Sequence, residues 1–268
     1  MKTLLIDAGN TRVKFGWVDT TTGEREPAAL AIGHDSLAQL DAWLRNLAPE
    51  ITRAIGTNVA GQQAANRIHA ALHALAAPAP QWISSQAETA GVRNTYDHPA
   101  QLGADRWLAM VGMVAHAQGT RPLMLANFGT TTTIDTLAYG DTGTPVFAGG
   151  LIMPGPELMR ASLKAATANL PLAEGPAAAF PQHTHQAISS GIAAAQTGAL
   201  LRQWREGLAR YGQAPQVFCS GGGWHLVEPE AARVLARAQA DMGLEVEEIN
   251  WLATPVLDGL ARLAASGA

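Results

Sequence analysis

Residues 4–11 read Leu4-Leu5-Ile6-Asp7-Ala8-Gly9-Asn10-Thr11, and residues 125–135 read Leu125-Ala126-Asn127-Phe128-Gly129-Thr130-Thr131-Thr132-Thr133-Ile134-Asp135. Each is an apolar run ending in a short polar residue, then x-Gly, then Asn-Thr or Thr-Thr. That pattern is a strand entering a tight turn whose N–H groups and hydroxyls face outward. Gly9 lets the backbone approach a phosphate closely. Asp7, at a strand's end, can hold Mg²⁺ directly or through water, with donors from Asn10 and Thr11 and charge from Lys14. One such turn alone reads equally well as an Asx-type turn without a ligand. The second copy shifts the reading to a nucleotide whose phosphates are held from two sides. A strand face accounts for the threonines 131–133. It does not account for Gly129-Thr130 at the offset of Gly9-Asn10, so Thr130 is the candidate phosphate contact.

Working outward, 13–18 alternates as a half-buried strand and 28–32 is a third strand, which makes a meander. A helix is expected from Asp35, with Leu37, Leu40, Trp43, Leu44 and Leu47 at helical spacing and Asp35 or Ser36 as its cap. A strand follows at 53–59, a helix at 62–76 and a short strand at 81–84. Residues 88–101 lack a period and read as a loop, leading to Gly103-Ala104-Asp105-Arg106 and a helix to 117. After 120 the pattern restarts: strand, phosphate-type turn, strands at 132–139 and 146–148, helices at 157–168 and 184–211, and a strand at 217–219. A last helix is expected over 254–265. This is an internal duplication of architecture, not a short-period solenoid. Two domains are expected, 1–118 and 119–268, each carrying one phosphate turn.

Bulk properties exclude several classes. The chain has 268 residues, 47% of them hydrophobic, and a net charge of −4. Neither a basic run nor a long uncharged apolar stretch is present, so no nucleic-acid or membrane partner is expected. The single Cys219 makes no internal disulfide, which fits a reducing compartment, the cytoplasm. The apolar run before Asp7 is too short for a signal peptide.

Three further features carry chemistry. Asp105 and Arg106 at a helix start read in two ways: a capping carboxylate with a surface charge, or a general base with an anion clamp. Ser220-Gly221-Gly222-Gly223 reads as a flexible connection or as a flat wall beside an adenosine. His69 and His73, and His183 and His185, lack the carboxylate or Cys partners of a metal site and read as solvated histidines. Walker A, Gly-x-Gly-x-x-Gly and Gly-x-Ser-x-Gly patterns are absent, which disfavours P-loop, Rossmann and nucleophile-elbow chemistry.

Taken in order, Asp7-x-Gly9-Asn10-Thr11, Gly103-x-Asp105-Arg106, Gly129-Thr130, Thr184 ahead of Ser190-Gly191, and Ser220-Gly221-Gly222 resemble type III pantothenate kinases. These belong to the superfamily of acetate kinases, sugar kinases, heat-shock chaperones and actin. The resemblance spans nearly the whole chain, and Gly-x-Asp-Arg is its specific part. It implies an α/β fold of two similar ribonuclease H-like domains, the duplicated actin-like ATPase fold, around a central cleft. It implies transfer of the γ-phosphate of ATP to pantothenate, giving 4'-phosphopantothenate, the first step of coenzyme A biosynthesis. Asp7, Ala8, Gly9, Asn10, Thr11, Arg12, Val13, Lys14 and Thr130 would bind ATP, with Asp7 near Mg²⁺. Tyr96, Gly103, Ala104, Asp105, Arg106 and Thr184 would bind pantothenate, with Asp105 as the base. A homodimer is implied, with its contact close to the pantothenate site, together with a monovalent cation, K⁺ or NH₄⁺.

One departure stands out. The family usually carries Asp at the start of the second turn, at the monovalent-cation site, where this chain has Asn127. Asn keeps a carbonyl oxygen and loses the charge. Weak or absent K⁺ dependence is therefore expected. The competing readings are another small-molecule kinase of the superfamily, such as a sugar kinase, and a nucleotide-binding regulatory accessory protein without kinase activity.

Overall fold

A computed structural model describes residues 1–45, 47, 50–140 and 142–266. The chain divides into two units. Unit 1 comprises Met1–His116, Thr144–Phe147 and Thr254–Ala268; unit 2 comprises Ala117–Gly143 and Ala148–Ala253.

In unit 1, β1 (Lys2–Ala8), β2 (Arg12–Asp19), β3 (Leu30–Gly33), β4 (Ile51–Asn58) and β5 (Pro80–Trp82) form one sheet in the order β3-β2-β1-β4-β5. The first three run antiparallel; β4 joins β1 in parallel and β5 joins β4 in parallel. One face packs Leu4, Ile6, Ala8, Val13 and Phe15 against Leu40 and Leu44 of α1 (Gln39–Leu44) and Ile68 and Leu72 of α2 (Gln62–Ala74). Alternation along β1 sends Leu5 and Asp7 to the other face.

Helix α1 is shorter than the apolar spacing predicts. Asp35 and Ser36 lie in a separate 3-10 turn, and the Asp35 carboxylate is held at 2.7 Å by Arg67 of α2, so neither caps α1. The segment 88–101 also differs from the expected loop. It contains a hairpin of β6 (Glu88–Thr89) and β7 (Val92–Arg93), turned by Ala90 and Gly91 at φ 47° and 76°. Two-residue strands are too short to show a period. The hairpin is anchored by buried Val92 and by the Trp107 indole, which donates to the Thr89 hydroxyl at 2.9 Å.

Helix α3 (Ala104–Met113) is crossed closely by α7 (Pro255–Ala265), also of unit 1. A Cβ at Gly259 would lie 1.9 Å from the Leu108 carbonyl, and one at Gly112 would lie 2.1 Å from that of Pro255. Arg262 of α7 donates to the Val111 carbonyl at 3.0 Å, and Asp258 accepts from Arg25 at 2.7 Å. The helix that starts with Asp105 is therefore fixed backbone to backbone.

In the second sheet, β8 (Leu123–Phe128), β9 (Thr131–Tyr139), β10 (Pro145–Pro154, in unit 2 from Ala148 on), β11 (Gln216–Ser220) and β12 (Asn250–Trp251) run in the order β10-β9-β8-β11-β12. β8 pairs antiparallel with β9 and parallel with β11, and β11 pairs parallel with β12. Strand for strand this repeats the order of unit 1, as the duplication in the sequence predicts. The difference lies between the third and fourth strands, where unit 2 has two helices, α4 (Pro156–Ala166) and α5 (Thr184–Tyr211), and unit 1 has α1. Strand β10 is longer than expected. Helix α6 (Glu228–Asp241) was not expected; its buried stripe is Ala231, Leu235 and Ala238, too alanine-rich to stand out as apolar.

Candidate functional site

The first turn closes β1 onto β2. Ala8 is in register with Val13, leaving 9–12 to make the reversal. The Gly9 N–H donates to the Arg12 carbonyl at 3.1 Å, and the Gly9 carbonyl faces the His34 ring nitrogen Nε2 at 2.8 Å. Asn10, Thr11 and Arg12 are exposed. Ala8 and Val13 are buried in the core, so they offer a ligand only their backbone. His34 was not legible as a site residue, because it follows β3 in the sequence and reaches the turn only through the sheet.

Asp7 is 7% exposed, with the Lys14 ammonium 3.8 Å from its carboxylate. Burial pushes its pKa up from 3.8 to about 6, against the pull of Lys14, and the negative charge of Asp105 adds to the rise. Asp7 and Asp105, nearly a hundred positions apart in sequence, are thus electrostatic neighbours. Gly103 stands at the N-cap of α3 and makes no side-chain cap bond. The Asp105 carboxylate accepts the Arg106 N–H at 2.8 Å, inside the first turn, where the helix dipole favours its charge. The Arg106 side chain is buried and reaches the Tyr96 hydroxyl at 3.5 Å. Tyr96 is held against Phe147, with ring centroids 5.4 Å apart. Unit 1 therefore brings together Asp7, Lys14 and Asp105, and places Arg106 against Tyr96.

The second turn is tighter. Phe128 is in register with Thr132, so 129–131 make the reversal, one residue fewer than in the first turn. Gly129 donates to the Thr131 carbonyl at 3.1 Å, and Gly155 donates to that of Thr130 at 3.0 Å. A Cβ on Gly155 would lie 2.1 Å from the Gly129 carbonyl oxygen. Gly221, at φ 96°, and Gly223 press against the Phe128 carbonyl, and the Gly223 N–H donates to it at 2.8 Å. These glycines therefore build the turn from behind; of the three, only Gly222 has open space for a ligand. Gly155 carries no mark in the sequence, because its role depends on contact with a turn 25 residues away. Thr130 is exposed at the tip.

Thr184 opens α5 and lines a groove of about 940 Å³ in unit 2, with Leu158, Met159, Leu163, Ile188 and Ile192 as apolar walls. Among the described residues, no group of three or more His, Cys, Asp or Glu could enclose a metal. No helix among the described residues is long and apolar enough to cross a membrane.

Comparison with known proteins gives this geometry its context. Residues 3–206 match the sequence profile of the family described as type III pantothenate kinase. A type III pantothenate kinase of Bordetella pertussis is 48% identical over 268 residues, covering 99% of this chain and 98% of the relative. One of Bordetella petrii is 50% identical over 263 residues, covering 98% and 97%. Among solved structures, the activator of 2-hydroxyisocaproyl-CoA dehydratase from Clostridium difficile superposes with a TM-score of 0.53 at 12% identity, covering 99% of this chain and 94% of that one. An exopolyphosphatase-like protein gives 0.52, also at 12% identity, covering 97% and 96%. At such identities the likeness is one of fold: two ribonuclease H-like domains of the actin-like ATPase and sugar kinase type. With the profile match and full-length identity near one half, the chain belongs to the type III pantothenate kinase family.

Proposed function

We propose that this protein transfers the γ-phosphoryl group of ATP to the primary hydroxyl of pantothenate, releasing ADP and 4'-phosphopantothenate, the first step of coenzyme A biosynthesis. The observation that carries this reading is the juxtaposition in unit 1: Asp105 opens α3 within electrostatic reach of Asp7, with Arg106 against Tyr96. Phosphoryl transfer asks mainly for positioning and charge neutralisation. Asp7 would hold Mg²⁺, which when bound to the nucleotide neutralises phosphate charge. Lys14 and the exposed donors at Asn10 and Thr11 orient phosphates, with Ala8, Gly9, Arg12 and Val13 shaping the turn. Thr130 is a further phosphate contact.

Asp105 takes the hydroxyl proton as the pantothenate oxygen forms its bond to the γ-phosphorus and the bond to the ADP oxygen breaks. Arg106 clamps the pantothenate carboxylate. Tyr96, Gly103 and Ala104 line the same pocket, and Thr184 contributes its hydroxyl. Asn127 gives the monovalent-cation position a carbonyl oxygen without charge, so dependence on K⁺ or NH₄⁺ is weak or absent. The protein acts in the cytoplasm as a homodimer. Sedimentation velocity tests the dimer, and a monomer at micromolar concentration would refute it.

The deciding experiment is ADP release measured with ATP and Mg²⁺, with and without pantothenate. Pantothenate-dependent ADP is expected. Sugar-dependent ADP would reassign the chain to another kinase of the superfamily. Nucleotide binding with no acceptor-dependent ADP would make it a regulatory accessory protein.

A further inference from the structure

Three side chains stand in one row across the end of the unit 1 sheet. Asp7 is in register with Lys14 on β2 and with Thr57 on β4. Residues in register on adjacent strands point to the same face, with the strands about 4.8 Å apart. This face lies opposite the one that packs against α1 and α2. Thr57 is 0% exposed, and its Oγ1 has no hydrogen-bond partner among the described residues. A buried hydroxyl without a partner destabilises a fold, and valine would fill the same space without that cost.

Position distinguishes this hydroxyl from others like it. Thr132 and Thr136 also carry unpartnered buried hydroxyls, but they are in register with Phe128 and Met124, on the apolar face of the unit 2 sheet. Thr57 adjoins a carboxylate. The duplicated half repeats the arrangement, since Ser220 on β11 is in register with Asn127. In both halves the polar residue that ends the first strand has a hydroxyl residue beside it on the fourth.

We propose that Thr57 is a positioning residue for phosphoryl transfer, whose hydroxyl donates to the Asp7 carboxylate when that carboxylate engages the Mg²⁺ of the nucleotide. The hydroxyl then fixes the carboxylate's rotamer and offsets the loss of water around its charge. The proposal rests on the reading of Asp7 as the metal-side carboxylate.

The test compares Thr57→Val, Thr57→Ser and Asp7→Asn with the parent protein. Calorimetry follows binding of a non-hydrolysable ATP analogue over a Mg²⁺ titration, and unfolding of the ligand-free proteins is recorded alongside. For Thr57→Val the ligand-free protein is expected to be at least as stable as the parent. Its Mg²⁺ midpoint is expected to rise about tenfold, the loss of one hydrogen bond to a charged group. Thr57→Ser should stay within about twofold of the parent, since it keeps the hydroxyl. If Thr57→Val leaves the midpoint unchanged while Asp7→Asn raises it, the proposal is wrong and the reading of Asp7 stands. An unchanged midpoint in Asp7→Asn removes that reading, and the proposal with it. A ligand-free Thr57→Val less stable than the parent would show that the hydroxyl already has a structural partner, and would also overturn the proposal. Thr57→Ala carries the same titration if the valine variant does not fold.

Discussion

Replacing Asp7 by Asn should make the ligand-free protein more stable at neutral pH while removing its activity. The carboxyl is buried, and its pKa is pushed up from 3.8 to about 6, chiefly by loss of solvent and further by the charge of Asp105, with Lys14 pulling the other way. Because the folded-state value lies above the unfolded one, the protonated form favours the fold. That contribution is complete below pH 3.8 and is lost as the pH rises through about 6. The full swing is about 3 kcal/mol, and about 1.4 kcal/mol of it falls between pH 5 and pH 8. Asparagine does not titrate.

Denaturant unfolding of both proteins in EDTA, at pH 5 and pH 8, reads the effect directly. Other titrating groups are common to both and cancel in the difference. The stability of Asp7→Asn relative to the parent should grow by about 1.4 kcal/mol from pH 5 to pH 8, or roughly 3–6 °C in Tm. Mg²⁺ with an ATP analogue should reverse the order, since only the parent holds an ionised carboxylate for the cation to engage. A relative stability that changes by less than about 0.5 kcal/mol over this range would refute the raised pKa and the loss of solvent behind it.

Other variants test the remaining parts of the site. Asp105→Asn should lower turnover by about 10²-fold or more while analogue binding persists, because general-base catalysis contributes on that scale; near-normal ADP release would exclude Asp105 as the base. Gly155→Ala places a methyl 2.1 Å from the Gly129 carbonyl. It should destabilise the protein by about 1–3 kcal/mol and raise the KM for ATP, whereas Gly222→Ala, in open space, leaves stability unchanged. Rates in K⁺ and in a large inert cation should agree within about twofold, given the uncharged carboxamide of Asn127; a strong K⁺ requirement would refute that reading.

The parts of the fold that the sequence discloses are those with strong periods. Strands β1, β2, β4 and β8 bury alternate or continuous apolar residues, and α5 begins and ends where its pattern does, stopped by Gly212 at φ 68°. What stays hidden depends on partners distant in sequence. The β6–β7 hairpin is two residues a side and is held by Trp107. Helix α6 hides its buried stripe among alanines. Asp7, Asp105, Arg106 and Tyr96 can be listed from their motifs, but the electrostatic coupling of Asp7 to Asp105 follows from the sheet and from the α3–α7 crossing. The same holds for His34, Gly155 and Thr57, which are ordinary residues until pairing sets them beside a turn or a carboxylate.

The duplicated rows explain why the two halves divide their labour. In unit 1 the row is Lys14, Asp7 and Thr57; in unit 2 it is Thr133, Asn127 and Ser220. The first holds a cation, an anion and a hydroxyl, so an ionised Asp7 has a counter-charge 3.8 Å away even before Mg²⁺ arrives. The second is neutral throughout, and its middle residue needs no cation. Asn127→Asp would place a carboxylate where threonine and serine, not lysine, are its neighbours. Neither neighbour in the row carries a charge to offset it, whereas a bound cation would. The variant should therefore unfold more readily than the parent at pH 8 in a large inert cation, recover stability as K⁺ is added, and show a K⁺-dependent rate that the parent lacks. A ligand-free Asn127→Asp protein as stable as the parent in the absence of K⁺ would show that unit 2 tolerates the charge unaided. The neutrality of its row would then have no bearing on cation use.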